Sequence, residues 1–161
     1  MVEITAIHDD YTFDEVITVD KNNDGQVISF SATINSVERT VVTAAEFQRV
    51  LDNEYVEKIT IGDDLAGDFL LIEQVRDLII DADNNKLNGN LTIGDGETSA
   101  TIGLLNFGLS DKLLVDLNKG ELKLSNSSFA RITINSVGGE SFNLNEESVV
   151  ERLRNNSPEA K

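Results

Sequence analysis

Three short apolar triplets follow one another in the second half of the chain: Leu113-Leu114-Val115, Leu122-Lys123-Leu124 and Ile132-Thr133-Ile134. Triplets of the same kind start at residues 59, 78 and 91, and turn residues such as Asn, Asp and Gly separate many of them. Short aliphatic runs between turn residues are typical of short β-strands. The stretch therefore predicts a β-rich fold.

The spacing of the triplets also indicates a repeat. Starts at residues 59, 78, 113 and 132 are separated by 19, 35 and 19 residues. This nearly fits a coil of ~20 residues with two strands per turn, the length at which stacked coils bury their apolar faces. The phase slips between Ser99 and Leu109, however, and Asn88-Gly89 is typical of an antiparallel hairpin. Residues 69–80 also fit one apolar face of a helix.

Two fold classes fit these observations. The first is a mainly β domain, α+β with minor helix, in which an antiparallel or mixed sheet is packed by two short helices. The alternative is a short irregular β-solenoid of ~20-residue coils with an N-terminal hairpin. A chain of 161 residues has the length of one domain. We therefore expect a single β-rich domain over residues 1–154 and a polar tail over residues 155–161.

Strand signals divide most of this domain into two regions. Residues 1–42 predict a β-meander, with a partly alternating strand from Thr12 to Asp20 and a second strand from Val27 to Ile34. Residues 56–144 predict short strands and turns. The turn between the first two strands contains the Asp24-Gly25 step, which favours positive φ.

Two further regions predict helices. The helix over residues 43–53 starts at a capping box, Thr43-Ala44-Ala45-Glu46, in which the hydroxyl and the carboxylate satisfy each other's backbone amides. The helix over residues 145–154 starts at Asn145 as its cap and has an inward face of Val149, Val150 and Leu153.

The charge of the chain is strongly negative and unevenly distributed. Its formal value is −16, and residues 1–83 carry 19 acids and 5 bases against 10 acids and 8 bases in residues 84–161. Such a surface repels phosphate backbones and anionic lipid heads, so we expect no nucleic-acid partner and no membrane partner. The acidic first half either serves solubility alone or faces cations or a basic partner.

The sequence leaves the compartment open. It contains no cysteine, which excludes disulfides, zinc–thiolate sites and thiol catalysis. Its first residues show no signal peptide, and no apolar stretch approaches the ~20 residues of a transmembrane helix. Virion, extracellular and cytoplasmic locations are all compatible with these features.

One loop has the pattern of a calcium site. In the segment from Asp20 to Val27, the oxygen-bearing side chains of Asp20, Asn22 and Asp24 alternate before Gly25, as in the first half of an EF-hand loop. The twelfth position, which normally carries a bidentate glutamate, is Ser31. We predict either a Ca²⁺ site at Asp20, Asn22 and Asp24 or a hairpin turn in which these side chains bind their own backbone.

Two other acidic clusters offer oxygen ligands or, alternatively, caps and turns. They are Asp81-Ala82-Asp83-Asn84-Asn85 and the pair Asp63-Asp64 together with Asp68. The segment Gly94-Asp95-Gly96-Glu97-Thr98-Ser99 faintly resembles a nucleotide loop, but a strand follows it instead of a helix. We interpret it as a β-turn.

The usual catalytic groups are scarce. His8 is the only histidine, and no Gly-x-Ser-x-Gly elbow is present. Paired carboxylates, as in a glycoside hydrolase, are the one catalytic arrangement that the composition leaves open.

We therefore expect a non-enzymatic structural or assembly module, such as a virion or cell-surface subunit that engages protein partners as a homo-oligomer or larger assembly. The alternatives are a Ca²⁺-dependent binding module that uses the Asp20–Gly25 loop and a carboxylate-based hydrolase.

Overall fold

The computed structural model describes residues 2–4, 17–19, 37–136, 142–145 and 147–157. Two compact units make up the chain, Met1–Val37 and Glu38–Lys161. In the first unit, strands β1 (Val2–Ile4) and β2 (Ile17–Val19) pair antiparallel. β2 lies inside the predicted strand from Thr12 to Asp20, whereas the predicted strand from Val27 to Ile34 is outside the described residues. The extent of a single domain over residues 1–154 stays a prediction.

The second unit is a β-solenoid of about five turns. Its described elements are α1 (Ala44–Leu51), β3 (Val37–Val41), β4 (Val56–Ile61), β5 (Leu65–Ala66), β6 (Phe69–Leu71), β7 (Leu78–Asp81), β8 (Lys86–Asn88), β9 (Leu91–Ile93), β10 (Thr101–Leu105), β11 (Gly108–Asp116), β12 (Glu121–Ser125), β13 (Ser128–Ser136), β14 (Phe142–Leu144), β15 (Val149–Val150) and β16 (Leu153–Asn155). Coil 1 comprises β4 to β6, coil 2 comprises β7 to β9, coil 3 comprises β10 and β11, coil 4 comprises β12 and β13, and coil 5 comprises β14 to β16.

Corresponding strands of successive coils form two parallel sheets. The six-stranded sheet has the order β14-β12-β10-β7-β4-β3, and the eight-stranded sheet runs β15-β13-β11-β8-β5, with β16 beside β13 and β9 between β6 and β11. The strand pairs between coils are parallel. The solenoid alternative is therefore confirmed for this unit, and the antiparallel or mixed sheet is wrong.

Aliphatic ladders hold the coils together. In the six-stranded sheet, the Leu104 ladder consists of Ile59, Ile80, Leu104, Leu124 and Leu144. In the eight-stranded sheet, the Leu113 ladder consists of Phe69, Leu91, Leu113, Ile132 and Leu153. The first four members of each ladder are at most 2% exposed. No single coil can bury such a row alone, so stacking supplies the core.

Coil length varies, which explains the phase slip in the sequence. Paired residues Ile80 and Leu104 are 24 positions apart, whereas Leu104 and Leu124 are 20 apart. The longer coil contains a longer connection, Gly94 to Ala100, between β9 and β10.

Asparagines form the corner between the two sheets. Asn106 and Asn126 have φ of 53° and 48°, in the left-handed region that asparagine tolerates better than most residues. Asn126 Nδ2 donates to Asn106 Oδ1 at 2.8 Å, and Asn106 Nδ2 donates to Asp81 Oδ1 at 2.8 Å. Turn residues of successive coils thus form a hydrogen-bonded ladder at this corner, in addition to the aliphatic ladders of the core.

The hairpin predicted at Asn88-Gly89 is wrong, because Gly89 is a solenoid corner. Strands β8 and β9 on either side of it both pair parallel with β11. Gly89 has φ of 146°, and a Cβ at this position would lie 2.0 Å from the carbonyl oxygen of Gly67 in the previous coil. The glycine is needed for close stacking of corners and not for a two-residue turn.

Both other helical interpretations are also wrong. Residues 69–80 contain β6 and β7, and residues 145–154 contain β15 and the start of β16, which pair with β13. The spacing of Val150 and Leu153 matches a helix face, but it equally matches Phe129 and Ile132, their partners in β13. The polar tail over residues 155–161 stays a prediction.

Candidate functional site: the open C-terminal end of the solenoid

Helix α1 covers the N-terminal end of the solenoid. The predicted capping box is confirmed, with Thr43 Oγ1 accepting from the Glu46 amide and Glu46 Oε2 accepting from the Thr43 amide, both at 3.2 Å. The buried residues of the helix are Phe47, Val50 and Leu51. Phe47 meets Phe69, the first member of the Leu113 ladder, edge to face at 4.8 Å between ring centroids. The core therefore ends under a helix at this side.

Side chains also form hydrogen bonds with backbone groups at this end. Gln48 Nε2 donates to the Leu70 carbonyl at 2.8 Å, and Gln48 Oε1 accepts from the Leu70 amide at 2.9 Å. The Arg76 guanidinium donates to the carbonyls of Val50 and Leu51 at the C-terminal end of α1. Burial lowers the pKa of Arg76. Unpaired backbone groups at a strand edge favour aggregation, and unpaired carbonyls at a helix end are costly. The contacts of Gln48 and Arg76 give these groups hydrogen-bond partners.

The C-terminal end lacks such a cover in the part of the chain that the structure describes. In the Leu104 ladder, exposure rises from 1% at Leu124 to 45% at Leu144. In the Leu113 ladder, it rises from 0% at Ile132 to 52% at Leu153. Both ladders therefore end in a leucine that is in register with buried core residues but is itself exposed. We call this surface, formed by β14, β15 and β16, the open end.

The open end is also the last edge of both sheets within the described residues. β14 is the last strand of its sheet, and the described strands include none beyond β15 and β16. The asparagine corner ladder ends here as well, with Asn145 Oδ1 accepting from the Asn126 amide at 3.1 Å and from Ser148 Oγ at 2.7 Å. A row of unpaired N–H and C=O groups next to apolar side chains is a template for another strand.

Charge differs between the two ends of the solenoid. Residues 38–83, which form β3, α1 and the first coils, carry twelve acids and four bases. Residues 142–157, which include the open end, carry three acids and two bases. The open end is therefore nearly neutral in a chain of net charge −16.

The predicted calcium ligands lie outside the described residues. This applies to Asp20, Asn22 and Asp24, to Gly25 and to the lone His8, so the Ca²⁺ site stays a prediction. Within the described ranges, no three His, Cys, Asp or Glu side chains are arranged to hold a metal ion. The same residues form no helix that is long and apolar enough to cross a membrane.

The other acidic clusters are described and lie at corners. Asp81 Oδ1 accepts from the Asp83 amide at 2.9 Å, and Asp64 Oδ1 accepts from the Lys86 amide at 2.7 Å. Asp68 Oδ1 accepts from both the amide and the side chain of Asn90, at 3.0 and 2.7 Å. These carboxylates satisfy donors of their own or the next coil, which is the capping and turn alternative of the sequence interpretation.

The segment from Gly94 to Ser99 is a turn closed by Asp95. Asp95 Oδ1 accepts from the amides of Glu97 and Thr98, at 2.9 and 2.7 Å, and its Oδ2 accepts from the Thr98 hydroxyl at 2.7 Å. The hydrogen bonds from Thr98 are the main cause that lowers the pKa of Asp95 to about 2. Both oxygens of the Asp95 carboxylate thus accept hydrogen bonds from residues of the same loop.

No family model, no curated protein and no solved structure matches the chain.

The open end could not be predicted from the triplets, because a triplet has the same residue pattern whether or not another coil covers it. The open end follows from the positions of Leu144 and Leu153 as the last members of the two ladders. These positions are known only once β12 is paired with β14 and β13 with β16.

Proposed function

We propose that this protein is a structural or assembly module that associates with a second copy of itself through the open end. The observation that carries the proposal is the exposure of Leu144 and Leu153, at 45% and 52%, as the last members of otherwise buried ladders. Burying such residues is the dominant favourable contribution to protein association. A protein partner thus fits this surface better than a small ligand does.

The apolar surface favours a symmetric, tail-to-tail arrangement. Among the described residues, a second copy offers the matching ladder ends at its own open end, because α1 covers the other end of its solenoid. Contact between identical surfaces gives a two-fold axis, the commonest symmetry of soluble oligomers. Two identical edge strands related by such an axis run antiparallel, which allows regular backbone pairing.

Charge supports the same arrangement. Contact between the open ends joins the nearly neutral parts of two molecules and keeps the acidic residues 38–83 of each copy at the far ends. A contact that brought the acidic coils of two copies together would work against Coulomb repulsion.

The expected affinity is modest. Covering the exposed half of four leucine side chains contributes roughly 4 kcal/mol, most of which is offset by the translational and rotational entropy lost on association. Backbone pairing between the edge strands adds to this value. We therefore expect a dimer that dissociates on dilution from about 1 mM to 10 μM.

Light scattering coupled to size exclusion over this range tests the proposal. Wild-type protein is expected to shift from dimer to monomer on dilution, and Leu144→Glu is expected to remain monomeric because the dimer would bury unpaired carboxylates. Ile79→Glu is a matched control, since Ile79 is also 45% exposed but lies on β7 in the middle of the stack. A wild-type chain that is monomeric at the highest concentration, or equal loss of dimer in both variants, contradicts the proposal.

A further inference from the structure

Four cations are stacked on the outer face of the eight-stranded sheet near the open end. Lys112 of β11 pairs in register with Arg131 of β13, and Arg152 lies just before Leu153, the partner of Ile132. Arg154 pairs with Thr133. Adjacent strands are about 4.8 Å apart, so the cationic groups occupy neighbouring coils. We call this set the basic stack.

The basic stack lines a depression of about 370 Å³. Its lining among the described residues contains no carboxylate and consists of Lys112, Arg131, Thr133, Arg152, Leu153 and Arg154. The volume is within the range of small-ligand sites. A second depression of about 250 Å³ shares Lys112, Arg131 and Arg152 and adds Asp111 and Glu151 to its lining.

Among the described residues, the charged groups of the basic stack have few protein partners. Within the described ranges, Lys112, Arg131 and Arg152 form no ion pair, although Asp111 and Glu151 are nearby. Arg154 Nε donates to Asn156 at 3.1 Å, which leaves the rest of its guanidinium available. Thr133, which lines the same depression, is only 8% exposed as a residue.

Such a stack is unfavourable in isolation. Like charges directly opposite each other on neighbouring strands destabilise a sheet. An anion in the depression would relieve this repulsion. Arginine side chains are suited to this, because the planar guanidinium binds carboxylate and phosphate oxygens through two parallel hydrogen bonds.

We propose that the basic stack is a binding site for a small multivalent oxyanion, a ligand that presents several carboxylate, phosphate or sulfate oxygens to Arg131, Arg152 and Arg154 and one to the Thr133 hydroxyl. The site lies in the half of the chain that is nearly balanced in charge, with 10 acids and 8 bases, so long-range repulsion of an anion is weakest there.

Amide chemical-shift titration with citrate, inorganic phosphate and inorganic sulfate tests the inference, with chloride added to equal ionic strength. We expect saturable shifts at residues 131–133 and 152–154, and the tightest of the three anions identifies the oxyanion class. The titrations are made in the Leu144→Glu background, so that the result does not depend on self-association.

Two variants and one control complete the test. Arg152→Gln is expected to raise the Kd about tenfold through loss of a charge-assisted pair, and Thr133→Val is expected to weaken binding while it preserves shape and β-branching. Lys119→Gln, at an exposed turn outside the depression, is expected to leave the Kd unchanged within about twofold. Shifts that do not saturate below roughly 10 mM for any anion, or equal Kd values in Arg152→Gln and Lys119→Gln, would overturn the inference.

Discussion

The side-chain amide of Gln48 pairs with both backbone groups of Leu70, donating to its carbonyl at 2.8 Å and accepting from its amide at 2.9 Å. A residue on α1 thus reproduces the two hydrogen bonds that a neighbouring strand would give to β6. The eight-stranded sheet is closed at this edge by a side chain, whereas at its other edge the described residues add no strand beyond β15 and β16. This contrast is the basis for treating the two ends of the solenoid as different in function.

Replacement of Gln48 by alanine is expected to lower the free energy of unfolding by about 1–2 kcal/mol, because two hydrogen bonds are lost and the groups of Leu70 become unpaired. The exposed edge of β6 is also expected to increase aggregation. Urea denaturation and static light scattering measure the two effects. Gln74→Ala is the control, since its side chain makes no hydrogen bond to the described residues, and equal losses in both variants would contradict this role.

Gly89→Ala is expected to destabilise the protein by at least about 2 kcal/mol, through backbone strain and steric overlap. The φ of 146° is unfavourable for alanine, and its Cβ would lie 2.0 Å from the Gly67 carbonyl oxygen. Gly103→Ala is the matched control, because its Cβ would meet Ile79 and Leu105 at an ordinary 3.6 Å. The midpoints of thermal unfolding of both variants test this prediction. Equal midpoints for Gly89→Ala and Gly103→Ala would disprove the corner interpretation.

Asp95 is expected to titrate at about pH 2 in the folded protein. Because its pKa is lowered relative to the unfolded chain, its contribution to stability is present above the ordinary aspartate pKa of about 3.9 and is lost as pH falls through the folded value. Thr98→Ala removes the hydroxyl donor and is expected to move the pKa of Asp95 back towards its ordinary value. Carboxyl-detected NMR titration measures the shift, and an unchanged pKa in Thr98→Ala would show that the hydroxyl has no part in it.

Local signals in the sequence predicted local structure well. The capping box at Thr43 is confirmed because its two hydrogen bonds involve residues only three positions apart. The near 20-residue spacing of the triplets also pointed to the coils. These features depend on neighbours along the chain or on a regular repeat, and both are visible without knowledge of which strands pair.

Signals that depend on pairing were misleading. Asn88-Gly89 has the composition of a hairpin, but its glycine is required by an approach to Gly67, 22 residues earlier in the chain. Val150 and Leu153 have the spacing of a helix face, yet parallel pairing with Phe129 and Ile132 determines their conformation. The exposure of the open end is likewise a property of stacking, and no local pattern reports it.

The basic stack had a signal that could be read without the structure. Lys112, Arg131 and Arg152 are separated by 19 and 21 residues, close to the coil length. Aligning the chain on the coil repeat would have placed them in one column, whereas net charge alone directed attention to the acidic first half.

The central claim, that two copies associate tail to tail through the open end, is tested most directly by distances between spin labels. The chain has no cysteine, so a single introduced cysteine carries the label on each copy. Lys58 and Asn143 lie on one outward ladder, Lys58-Ile79-Gly103-Lys123-Asn143, four coil steps apart. With about 4.8 Å per step, the tail-to-tail dimer predicts that labels at Lys58→Cys are roughly 38 Å further apart than labels at Asn143→Cys. An equal distance at both positions, or a shorter one at Lys58→Cys, would contradict the account.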